Sequence, residues 1–199
     1  MGFESSLRDV ALTIVRFSGF AANALVLGSL AVILLVLRPT FASLDRAAWA
    51  AGRARLAERL EGIVHSALIG AAAAAGLALV LQAVLTAELT GGEIGTDSFV
   101  SVLETSFGPW YALRLPVVAG LLVLLTGKVR QWALAQRGVD ESVAGPAWWG
   151  AWGVLAVALV ATSSFSGHAA VATPRALSLS SDVLHLVAGA IWFAGIVLL

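Results

Sequence analysis

Five apolar blocks, each about 17 to 23 residues long, dominate the chain and set its fold class. That is the length an α-helix needs to cross a hydrocarbon layer about 30 Å thick. No water satisfies the backbone inside such a layer, so each block must pair its own amides and carbonyls as a helix. The alternating pattern of a membrane barrel is absent. Only 12% of the 199 residues are charged and 59% are hydrophobic, where a soluble domain carries roughly 25% charge. The expected fold is all-α, a polytopic transmembrane helical bundle of about five spans.

The first span covers residues 17–37, with Asn23 as its one strongly polar residue. Gly19 and Gly28 offer places for close helix contact. The second, 63–85, is built around a run of small residues from Gly70 to Gly76, which lets backbones approach and predicts a central position in the bundle. His65 stands at its start. The third begins near Trp110 and ends near Thr126, with Arg114 about one turn inside and Pro116 placed in the first turns, where a missing amide is tolerated. Trp148, Trp149 and Trp152 open the fourth, which reaches about Phe165, and suit an interfacial cluster. The fifth begins at Val183 and is still apolar at Leu199, as expected of the N-terminal portion of a longer protein. The natural division is residues 1–62, the first helix and an arginine-rich connector, and residues 63–199, the remaining spans.

Charge in the connectors predicts orientation. Residues 38–62 hold Arg38, Arg46, Arg53, Arg55 and Arg59, and residues 127–146 hold Lys128, Arg130 and Arg137. Residues 86–109 have acidic side chains and no lysine or arginine, and 166–182 have only Arg175. Basic loops stay in the cytoplasm, so the N-terminus is expected outside a bacterial cytoplasmic membrane. Leu44, Ala48, Leu56 and Leu60 are spaced to line one side of a helix lying along the membrane surface. Asp97 is the expected N-cap of a short helix over 98–105.

The chemistry concentrates between Ser166 and Gly195. Asp182 and His185 are three apart and share a helix face, and His168 precedes them across the Pro174-Arg175 break. His185 is expected about one turn into the fifth helix. His168, His185 and Asp182 are the candidate metal ligands. The competing readings are an imidazole bonded to a neighbouring carbonyl and an aspartate that caps a helix. His65 belongs to the opposite end of the bundle and is read as a satisfied interfacial histidine. Arg114 is either a snorkelling anchor or the partner of Glu104 or of an anionic group. The chain has no cysteine and only Met1, so metal chemistry must rest on imidazole, carboxylate and backbone oxygen. Zero net charge suggests no nucleic-acid partner. With no phosphate-binding glycine loop, no nucleophile–base pair and no CxxCH, the expectation is a protein that is not an enzyme.

Gly167-His168-Ala169, then Leu184-His185-Leu186 leading through Ala188-Gly189-Ala190 to Trp192 and Gly195, resemble the copper-resistance protein D (CopD) family of bacterial inner-membrane proteins. Thr105-Ser106-Phe107-Gly108-Pro109-Trp110 with Arg114-Leu115 resembles the segment that family places before a transmembrane helix. The resemblance covers residues 63–199, and Ala194 replaces one member of the family's glycine pair after the tryptophan. It implies copper homeostasis, with copper moved across the cytoplasmic membrane beside a periplasmic copper-binding partner of the CopC kind. It makes His168 and His185 the family-pattern histidines. A b-type haem held by paired histidines is the alternative, and a non-catalytic scaffold is a third reading.

Overall fold

A computed structural model describes residues 3–43, 50–126, 128, 131, 145–167 and 172–199. The described residues are mostly helical and contain no strand. The helices are α1 (Phe3–Val32), α2 (Arg38–Ser43), α3 (Ala50–Thr90), α4 (Thr96–Leu103), α5 (Gly108–Leu125), α6 (Pro146–Phe165) and α7 (Arg175–Leu198). Five of these stretches are long and apolar enough to cross a membrane: Val10–Phe41, Ala51–Thr90, Gly108–Leu125, Pro146–Phe165 and Arg175–Leu198.

The first stretch runs from α1 into α2 through a π-helical turn, Ile33–Leu37, in which the Arg38 amide donates to the Ile33 carbonyl five residues back. Pro39 follows at once. A proline in a regular helix lacks an amide and presses its ring on the carbonyl four residues earlier, and the wider turn relieves both. α3 has 41 residues and is about 60 Å long, twice the hydrocarbon thickness. It runs unbroken through the arginine-rich connector into the second span. Residues 50–62 are therefore an extension of that span and not a separate surface helix. Leu60 and Ala57 are buried, and Leu56 packs against the same core. Leu44 and Ala48 lie outside the described residues. Arg53 ties α3 to α2: its Nη2 donates to the Phe41 carbonyl at 2.7 Å, and its guanidinium lies 4.8 Å from the Phe41 ring centre.

The central helix is α1, not the second span. Of its most apolar stretch 61% is buried, against 33% for the corresponding stretches of α3, α5 and α6 and 11% for α7. The small residues of α3 do pack, with Ala71, Ala74, Ala75 and Ala78 buried. α3 meets α1, α4 and α5, while α1 meets α3, α6 and α7 and is the more deeply buried of the two. Gly28 faces the Ala190 carbonyl and Ala194 of α7 so closely that no side chain fits between them. α7 has only Ala190 and Ala194 fully buried. Its other side, with Leu177, Leu184, Trp192 and Ile196, points away from the bundle.

Trp152 is completely buried among core residues and does not face lipid; Trp148 and Trp149 are half-buried beside it, with Trp148 donating to the Leu124 carbonyl at 3.0 Å. α4 begins at Thr96 after Gly95, so Asp97 sits in the first turn and is not the cap. There Ser98 does the local work, accepting from the Gly95 amide and donating to the Glu93 carbonyl. Pro109 occupies the first turn of α5, which moves Pro116 into the helix interior.

Asn23 is buried in α1, and neither atom of its carboxamide has a hydrogen-bond partner among the described residues. An unpaired buried amide costs about 1–3 kcal/mol. Asn23→Leu keeps the side-chain size and is expected to be neutral or to raise the unfolding midpoint in detergent. A lowered midpoint would show that the carboxamide carries a stabilising bond.

Candidate functional site

α7 begins directly after Pro174, seven residues before Asp182. Asp182 is thus two turns inside the helix and does not cap it. His185 is ten residues past Arg175, about 15 Å along the axis, instead of one turn. The sequence-based start at Val183 fails because residues 175–181, though poor in apolar character, still continue the helix from the proline. The spacing of three still holds Asp182 and His185 on one face, and both line a cavity of about 560 Å³ with Thr173, Pro174, Ser178 and Ser181. Asp182 is half-buried and His185 exposed. The donors offered there are one carboxylate, one imidazole and hydroxyls, a hard-to-borderline set that suits a divalent ion better than a soft monovalent one. His168 lies outside the described residues. Among the described residues no three His, Asp or Glu side chains cluster as metal ligands.

His65 is engaged elsewhere. Its Nδ1 lies 3.0 Å from the Glu61 carbonyl and donates to it. Its Nε2 lies 3.4 Å from Thr126 Oγ1, just past the end of α5, a hydroxyl that itself donates to the Leu122 carbonyl. The ring is held on α3 through Nδ1 and lies against the end of α5, in keeping with a structural role.

The most elaborate polar constellation belongs to Arg114. It is 4% exposed although it lies within a membrane-spanning helix. Its Nε donates to Thr162 Oγ1 at 2.8 Å, and its Nη2 to Ser163 Oγ at 3.2 Å and Ser166 Oγ at 3.4 Å. The Tyr111 ring covers the guanidinium, with its centre 3.7 Å away. Stacked pairs, Phe107 on Tyr111 and Trp110 on Phe165, close the junction of α5 and α6 around it. Glu104 is not among its partners, which are all uncharged. Sequence reasoning singled out Arg114 but not these hydroxyls. The run Thr162-Ser163-Ser164 with Ser166, closing an otherwise apolar span, was the available signal.

Residues 7–176 match a known family, described as copper resistance protein D-like, N-terminal domain. The chain belongs to that family. It is a copper resistance membrane protein with several membrane-spanning helices. No curated protein and no solved structure matches it. In this CopD-like chain the matched segment includes most of α1, His65, Arg114 and His168, while Asp182 and His185 follow it on α7.

Proposed function

We propose that this CopD-like protein serves copper homeostasis by receiving copper along the first three turns of α7, through His185 and Asp182 together with His168, for movement across the bacterial cytoplasmic membrane. The observation that carries the reading is that Asp182 and His185 line one cavity. Family membership supplies the metal, and the donor types agree with it, since imidazole and carboxylate suit Cu(II). The arginine-rich connectors support an N-terminus outside, which puts this cavity on the side from which a periplasmic copper-binding protein of the CopC kind would deliver the ion. The acidic stretch 86–109 falls on the same side and raises the local cation concentration. The protein acts here as a carrier component and not as an enzyme.

The test is Cu(II) titration of the purified chain in detergent, beside the double variant His168→Ala/His185→Ala. Wild type is expected to bind copper, and the double variant to bind at least about 10-fold more weakly, the minimum seen even for outer-shell partners of metal sites. Unchanged stoichiometry and affinity in the double variant would end the proposal. A Soret band in the purified protein, lost in His185→Ala, would replace copper with haem.

A further inference from the structure

We propose that a second cavity, formed by α1, α5 and the end of α6, binds the phosphate group of a ligand through Arg16 and Arg114. The cavity measures about 440 Å³ and is lined by both arginines, Phe20, Phe107, Tyr111, Ser163, Ser166 and Gly167. Two guanidinium groups face it, and none of its lining residues carries a negative charge. Buried cations are ordinarily paired, because removing a charge from water without a counter-charge is costly. Arg114 is buried, yet its partners among the described residues are three hydroxyls and the face of a phenol. Two of those hydroxyls are spoken for as donors: Thr162 donates to the Leu159 carbonyl and Ser166 to the Ser163 carbonyl. Their lone pairs are thereby turned toward the guanidinium, which fixes its plane but leaves its charge without a counter-charge among the described residues.

That arrangement is what an oxyanion site requires. A guanidinium offers a planar fork of donors that matches phosphate oxygens, and one already immobilised loses little freedom on binding. Arg16 approaches from α1, exposed, with its guanidinium 5.2 Å from the Phe107 ring centre. It supplies a second, adjustable cation at the rim. The volume exceeds that of a bare phosphate, and the aromatic walls suit an organic portion attached to it. A phospholipid headgroup and a free phosphate share this chemistry, and the cavity's place near the end of the spans admits both. The proposal stands apart from the copper reading, whose described ligands, Asp182 and His185, line another cavity.

The experiment uses the whole chain, delipidated in a mild detergent. One arm adds phosphatidylglycerol and counts retained lipid by native mass spectrometry. The other follows the unfolding midpoint as inorganic phosphate rises to about 10 mM, a range that captures even a millimolar site, with sodium chloride at matched ionic strength. Retention of one phosphatidylglycerol per chain identifies the lipid as the source, and a saturable midpoint rise with phosphate but not chloride identifies a free anion. In either arm Arg16→Gln is expected to weaken binding about 10-fold, as loss of one charge-assisted pair does. Arg16 is exposed, so this variant tests binding without threatening the fold. Arg114→Gln, where it keeps wild-type helicity, is expected to abolish binding. No response in either arm, an equal response to chloride, or undiminished binding by Arg16→Gln overturns the proposal.

Discussion

Gly28→Ala is expected to destabilise the bundle by about 1–3 kcal/mol, the usual cost of forcing extra atoms into a packed interior, and Gly28→Leu by more. A single methyl at this position meets both the Ala190 carbonyl and the Ala194 side chain of α7. Neither is the free end of a flexible side chain that can swing aside. The backbone of α7 must therefore move away from α1, and α7 holds few other buried contacts to resist it. Because α7 carries Asp182 and His185, the displacement is expected to weaken the proposed copper binding as well as lower the unfolding midpoint in detergent. Gly189→Ala is the matched comparison. It lies on the same helix with nothing within 4 Å of the added atom, and alanine favours helix over glycine by about 1 kcal/mol. Equal midpoints for wild type and Gly28→Ala would show that α1 and α7 do not meet as described.

Trp152→Ala is expected to cost about 3–5 kcal/mol, the range for deleting a large buried aromatic ring. Trp152 is fully buried, 5.4 Å from the ring centre of Trp148 and 6.0 Å from that of Trp149. Its loss leaves a hole at the centre of the bundle, where α6 packs on α1 and α5. The indole nitrogen has no hydrogen-bond partner among the described residues. Trp152→Phe therefore discards no bond and fills most of the space, so its cost is expected to be well under half that of the alanine variant. Thermal unfolding of the two variants in the same detergent checks the contrast. A phenylalanine variant as unstable as the alanine one would mean that the indole N–H has a partner after all.

The extent of α5 and α6 was legible in the sequence because apolar length and flanking aromatics are local properties. The start of α7 was not. Asp182 has the composition of a cap, and the serine-rich residues before it look like a loop, yet Pro174 is where the helix begins. Trp152 has the composition of an interfacial residue, but its position along α6 turns it inward. For Arg114 the sequence offered Glu104 or an anion as partner. The structure finds hydroxyls forty-eight or more residues away, on a neighbouring helix, a pairing that no local pattern records.

Apolar blocks of bilayer length settle the helical class and the number of spans without coordinates, and the family-pattern residues carry the relation to copper resistance. The helical class needs only that each span satisfy its own backbone, which is a property of one segment at a time. Which helix lies at the centre, which glycine is indispensable and what surrounds each buried polar group depend on how helix faces meet. Membrane helices associate through close packing and a few polar contacts, since lipid already satisfies their apolar surface. Hydrophobicity therefore does not distinguish one face from another, and shape complementarity, as at Gly28 against Ala190 and Ala194, makes the choice.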